Sequence, residues 1–190
     1  MEIARIGNQI MKIEYEECPE SPREWSNLGK MVCWHSRYDL GDKHNFESPQ
    51  EFKEFLKENK AIVLPLYLYD HSGLSISTNR TYPFDCKWDS MQVGYIYVTY
   101  EKIMEEYSKK KITKKLREKI IDYLVGEVKT YNQYLCGEIY GYTISETKKC
   151  DLGHEHETIV DSVCGFYDKN DIFEDIEDGE KWKNAEWKEE

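Results

Sequence analysis

The sequence predicts an α+β fold: an antiparallel sheet, built as a meander plus a second hairpin, with one long helix packed on one face and two shorter helices. Three observations carry this expectation. Residues 61–100 hold three strand-like runs separated by turn residues. Residues 114–136 repeat apolar side chains at three- and four-residue steps. Residues 138–145 and 158–167 form a further pair of strand-like runs around a polar loop. Connections within the first group are too short for parallel crossovers, so its strands run antiparallel.

Residues 61–69 (AIVLPLYLY) are apolar or aromatic at almost every position, the pattern of a strand covered on both faces. Pro65 donates no backbone hydrogen bond, which calls for a bulge there or an edge position. Asp70, His71, Ser72 and Gly73 supply turn chemistry. Leu74, Ile76 and Thr78 then alternate with Ser75 and Ser77, as in a half-buried strand. Residues 93–98 leave neither face clearly wet, so they read as a central strand. Gly94 within it invites close approach of another backbone or an aromatic ring.

Upstream, residues 3–15 read as one alternating strand, residues 23–29 as a helical turn, and residues 31–35 as another strand. Ser48, Pro49 and Glu51 mark a helix start: a capping hydroxyl, a proline at the first helical position and a capping-box acid. Phe52, Phe55 and Leu56 form its buried stripe. Thr99 caps a second short helix that reaches Tyr107. Thr113 caps the long helix of residues 114–136, whose stripe is Leu116, Ile120, Leu124, Val128, Tyr131 and Leu135. Gly126 in its interior costs about 1 kcal/mol relative to alanine and signals close packing or a kink. Gly137 is a natural stop. No internal repeat or long linker appears, so the organisation read is one α+β domain over 1–168, with 169–190 an acidic, partly helical or frayed tail.

The 190 residues carry a net charge of −11. That balance disfavours direct binding to a nucleic-acid backbone. An acidic surface that imitates DNA phosphates is the opposite idea, though residues 168–190 alone supply −6 and acidic tails are usually just solvated. No apolar run approaches the roughly 18 residues of a membrane span and no charged-then-apolar leader is visible, so a soluble, cytoplasmic protein with no membrane partner is expected. Cys18, Cys33, Cys86, Cys136, Cys150 and Cys164 are scattered without a CxxC pair, which favours free thiols. Fifteen Tyr and five Trp suit sheet faces and binding surfaces alike, so their number does not choose between the two.

The turns around the central strands hold the candidate functional surface: Trp34, His35, Asp70, His71, Trp88 and Asp89. Cys86 lies in the same stretch, and Asp39, Asp42 and His44 join if the earlier strand pairs nearby. Carboxylates beside imidazoles can bind a divalent metal or move protons. The same residues also cap turns and bond the backbone, the commoner use. A binding surface is the functional reading preferred here, with no catalytic residue, metal or cofactor assigned. Trp88, Tyr95 and Tyr97 read as core before they read as a ligand cage. His154-Glu155-His156 is the one HxH pattern, in a polar loop beside Cys150; an exposed loop is the bland reading and a zinc site the sharp one. No P-loop, GxGxxG, GxSxG, kinase set or zinc finger occurs.

Three segments taken together, residues 21–42 (SPREWSNLGKMVCWHSRYDLGD), residues 66–98 and the later GEIYGY with VCGFYD, give the chain a family likeness. In that order and spacing it resembles a family of small proteins of unassigned activity carried by bacteriophages and mobile elements of bacteria. The likeness covers residues 21–168. Its most specific parts are Trp88-Asp89-Ser90 and Val93-Gly94-Tyr95. The chain departs from the family pattern at Met91, where relatives have Gly, and near Cys164-Gly165, where they have Trp. The family has no assigned catalytic residues to carry over. The resemblance implies a context: an accessory protein acting inside a bacterial host cell by binding a host protein, as an inhibitor of a defence system such as restriction or CRISPR. Two alternatives stand beside it. One is a metal-assisted hydrolase of a nucleotide or nucleic acid using Asp70, His71, Asp89 and His35; the other is a self-associating structural or regulatory protein. The oligomeric state is not fixed by the sequence.

Overall fold

The computed structural model describes residues 1–71, 73–79 and 90–189. Its elements, in chain order, are β1 (Glu2–Ile6), β2 (Gln9–Tyr15), a 3-10 turn (Pro22–Glu24), β3 (Lys30–Cys33), α1 (Pro49–Glu58), β4 (Ala61–Asp70), β5 (Leu74–Ser77), β6 (Ser90–Thr99), α2 (Tyr100–Glu106), α3 (Lys114–Cys136), β7 (Tyr140–Lys149), β8 (Glu155–Phe166), α4 (Lys169–Asp175), α5 (Gly179–Lys183) and β9 (Lys188–Glu189). The expected α+β class is what is found, with antiparallel sheets and one long helix. The contacts gather into two compact units, one of residues 20–136 and one of residues 1–19 with 137–190.

The larger unit is built on a four-stranded sheet in the order β3-β6-β4-β5. Alternate residues of its strands feed two different cores, because successive side chains of a strand point to opposite faces. Met31, Ile62, Ile96 and Val98 join Ile120, Leu124, Val128 and Tyr131 of α3 in one apolar cluster. Val32, Val63, Tyr95 and Tyr97 join Phe52, Phe55 and Leu56 of α1 in another. The sheet therefore lies between two helices, and the middle of β6 lacks a wet face for that reason. Tyr95 and Tyr97 are core: their rings lie 5.4 and 5.0 Å from that of Phe52.

The three central strands do not follow a simple meander. β6 pairs with β4 rather than with β5, and β3 covers its other side. β6 is thus central, as its pattern implies. Gly94 is obligatory there, since a Cβ would sit 2.0 Å from the carbonyl oxygen of Val32. β4 is interior from Tyr67 to Asp70, where β5 pairs with it; at Pro65 its one strand partner among the described residues is β6, and a register shift follows between Leu66 and Tyr67. Helix ends follow the sequence closely. Ser48 Oγ accepts from Glu51 N at 3.3 Å, Thr99 Oγ1 from Lys102 N at 3.3 Å and Thr113 Oγ1 from Leu116 N at 3.2 Å.

The smaller unit holds a five-stranded sheet, β8-β7-β2-β1-β9. Ala4, Met11, Ile13, Tyr142 and Ile144 from one of its faces pack on Ile172, Ile176 and Trp182 from α4 and the α5 region. Three features differ from the sequence reading. Residues 3–15 are two strands, because Gly7 (φ +64°) and Asn8 turn the chain into a hairpin. The β7–β8 hairpin extends β2 and belongs to a sheet of its own, not to the central one. Residues 169–189 contain two helices and a strand that pairs with β1.

Gly126 does not show the close packing expected of a helix glycine. It is exposed, and nothing lies within 4 Å of the position its Cβ would take. Gly126→Ala should therefore stabilise the protein by about 0.5–1 kcal/mol through helix propensity and chain entropy. Gly94→Ala should abolish or severely weaken folding. Paired urea denaturation curves check both signs.

Candidate functional site

The site begins from a buried ionic group that the sequence reading did not assemble. The 3-10 turn, capped at Ser21, aims Arg23 into the larger unit. Its guanidinium donates from Nε to Asp42 Oδ1 at 3.0 Å and from Nη2 to Asp42 Oδ2 at 2.8 Å. Nη1 reaches Glu127 Oε2 at 3.1 Å, and Nη2 also reaches the Gly29 carbonyl at 2.9 Å. The Arg23 and Glu127 side chains are 5% and 7% exposed. Burial alone lowers an arginine pKa, but the two carboxylates outweigh it and the Arg23 pKa is raised.

Each carboxylate also accepts from the backbone. Glu127 Oε1 takes Leu28 N at 2.9 Å and Gly29 N at 3.0 Å, and Asp42 Oδ2 takes Met31 N at 2.6 Å. Tyr131 Oη adds an acceptor for Gly41 N at 3.0 Å. The group therefore pins the start of β3 and the long loop after it onto α3. One signal for it was present in the sequence. Glu127 falls on the apolar stripe of α3, between Leu124 and Tyr131, where an unpaired carboxylate would be heavily penalised.

Of the predicted residues, the pinned loop carries Trp34 and His35. His35 stacks on Tyr38 with ring centres 5.0 Å apart, and its Nδ1 accepts from Arg37 N and Tyr38 N, both at 3.2 Å. Arg37 forms an ion pair with Asp70 at the end of β4, and the Tyr38 hydroxyl donates to Asp70 Oδ1 at 3.4 Å. The guanidinium carbon of Arg37 also lies 5.3 Å from the centre of the Tyr38 ring. The structure thus brings His35 and Asp70 to one corner, together with Arg37 and Tyr38, which the sequence reading left out. Arg37 and Tyr38 edge an open groove of about 860 Å³, with Lys43, Leu74, Tyr131 and Tyr134 among its other walls.

The remaining candidates go elsewhere. Trp34 packs beside Phe52 and donates from Nε1 to the Phe46 carbonyl at 3.1 Å. His44 lies against Trp34 and bonds the Cys33 carbonyl at 3.0 Å. Asp42 belongs to the Arg23 group, and Asp39 is an exposed wall of the groove. His71 is exposed, its ring 6.1 Å from that of Tyr69. Cys86, Trp88 and Asp89 lie outside the described residues. Cys150 and His154 close the tight β7–β8 turn, with Cys150 N donating to the His154 carbonyl at 2.9 Å, and His156 already belongs to β8. Among the described residues no three His, Cys, Asp or Glu side chains gather as a metal site. Among the same residues no helix is long and apolar enough to cross a membrane.

Chemically, the corner is a set of groups that satisfy one another. Asp70 accepts from a guanidinium and a phenol. His35 Nδ1 is occupied by backbone donors, which leaves Nε2 as the ring's own donor. Such an arrangement presents fixed polar edges beside aromatic surface, the composition of a docking patch.

Two outcomes follow. Glu127→Ala leaves Arg23 half-paired and two buried backbone N–H groups without acceptors, so it should cost about 3–5 kcal/mol, with Glu127→Gln costing less. Urea unfolding of both variants measures the difference. Burial pushes the Cys33 thiol up to about 12, reinforced by Asp42. In timed alkylation at mildly alkaline pH, mass mapping should therefore find exposed Cys18 and Cys136 modified well before Cys33.

No family model, curated protein or solved structure matches the chain.

Proposed function

We propose that the protein is a non-enzymatic binding module that docks a bacterial host protein through the groove edged by Arg37 and Tyr38. The observation that carries this reading is the Arg37–Asp70–Tyr38 corner itself. Its groups are held in place by one another and by the buried Arg23 anchor, so a partner would not have to order them. Preorganised tyrosine and arginine beside a groove are what strong interface contacts are made of. The resemblance to phage and mobile-element proteins supplies the class of target: a bacterial protein, with components of restriction or CRISPR defence as the first to try. Inhibition follows if the docked surface is one the target needs for its own substrate.

The test is affinity capture from lysates of several bacterial hosts, using the full chain and a Tyr38→Ala, Arg37→Ala double variant of confirmed fold. A host protein held by the parent chain and at least about tenfold more weakly by the variant supports the reading. Equal capture by both moves the contact away from this corner. Metal-dependent hydrolysis of nucleotides that disappears in Asp70→Ala points to the enzyme alternative and overturns the proposal.

A further inference from the structure

The two units divide the charge unequally. Residues 1–19 with 137–190 hold twenty Asp and Glu against eight Lys and Arg, a net of −12. Residues 20–136 hold seventeen against eighteen, a net of +1. The whole negative excess therefore resides in the smaller unit, and that unit also has an open sheet edge.

That edge is β8. It is twelve residues long, and among the described residues its one strand neighbour is β7. Eleven of the twelve residues are exposed, with Ile159 at 65%, Val160 at 51% and Val163 at 39%. A long edge with apolar side chains is a template for another strand. Its register shifts at Val160, between the Ile144–Asp161 and Ser145–Ile159 pairs, which leaves regular runs at 155–159 and 161–164. A five-residue run is an ordinary strand length.

Beside the shift lies a pocket of about 200 Å³. Val160, Ile176 and Trp182 line it, together with the carboxylates of Asp161, Glu177 and Asp178. Glu155 and Glu157 on the same strand are already answered by Arg5 and Lys12, at 3.3 and 3.4 Å. Asp161 takes the neutral Tyr142 hydroxyl at 2.7 Å, and Asp178 holds Lys181 at 2.5 Å. An apolar wall bearing carboxylates fits a long aliphatic stem that ends in a cation.

A second copy is a poor occupant. Residues 150–168 contain five Asp and Glu and no Lys or Arg, so self-pairing would stack like charge on like charge. We propose that β8 accepts an extended, basic segment of a partner protein as an added strand, with one of its Lys or Arg side chains in the Asp161–Glu177–Asp178 pocket. This site belongs to the smaller unit and shares no residue with the Tyr38 groove. Its variants leave Arg37 and Tyr38 unchanged, so its failure leaves the groove reading intact.

The experiment uses the isotope-labelled full chain and three blocked peptides of about eight residues. The first alternates valine with lysine, the second alternates valine with glutamate, and the third is the lysine peptide interrupted by a central proline. Expected are amide shifts along β8 and at the Trp182 indole with the lysine peptide, and little with the other two. Binding should weaken steeply toward about 0.5 M salt. It should also fall at least about tenfold in Asp161→Asn with Glu177→Gln, and Glu177→Gln alone, at an exposed position, guards against a folding defect. Equal binding of the glutamate peptide, equal binding of the proline-interrupted peptide, shifts confined to other elements, or no shifts at all would each overturn the proposal. So would a dimer in sedimentation that Ile159→Lys dissolves, since a second copy would then be the occupant.

Discussion

The larger unit depends on the contact of Arg23 with Asp42 and Glu127. Three segments far apart in sequence meet there: the 3-10 turn, the loop after β3 and the middle of α3. Taking an arginine and two carboxylates out of water is expensive, and their mutual attraction does not by itself repay the loss. What offsets it here is the backbone. Leu28, Gly29 and Met31 lend their N–H groups to the carboxylates, and the Gly29 carbonyl takes a guanidinium proton. An apolar plug of similar volume could bury as much surface, but it would not fix the direction of the loop. The ionic group does, and the direction of that loop decides where Arg37 and Tyr38 stand.

Close packing around this contact explains a second constraint. A Cβ on Gly29 would come within 2.5 Å of a Leu124 methyl and within 3.0 Å of a Glu127 oxygen. The bare glycine lets α3 approach the start of β3 closely enough for Glu127 to reach the Leu28 and Gly29 N–H groups at all. Backbone and side-chain chemistry are coupled at this point. The helix stripe supplies apolar burial through Ile120, Leu124 and Val128, and the one acid on that stripe supplies direction.

What was legible in the sequence follows from the range of the forces involved. Helix starts were read correctly at Ser48, Thr99 and Thr113 because a cap is a bond between residues three positions apart. The central character of β6 and the need for Gly94 were legible because period-two patterning reports both faces of a strand at once. Strand order was not. Nothing local to residues 74–98 says that β6 will bypass β5 for β4, since that choice is made by what α1 and α3 cover. The hairpin at Gly7-Asn8 was missed although its turn dipeptide was visible, because the strand-like residues on its two sides invite a single strand. The site was half legible for the same reason. His35 and Asp70 stood out by residue type, whereas Arg37 and Tyr38 gain meaning from where the Arg23 contact sends their loop.

The division of charge bears on how two such units can coexist in one chain. A unit carrying −12 is under self-repulsion, and its core is small: Ala4, Met11, Ile13, Tyr142 and Ile144 against Ile172, Ile176 and Trp182. Like charge also protects it. A long exposed edge such as β8 invites pairing with its own kind, and natural sheets resist that with bulges and charge. β8 has both, in its shift at Val160 and its row of Glu155, Glu157 and Asp161. Lysine is the commoner guard on such edges, and a guard of either sign suffices against self-association. Acidic guards leave the edge open to basic strands while closing it to copies of itself. The sign of the charge on β8 therefore carries information that its mere presence does not.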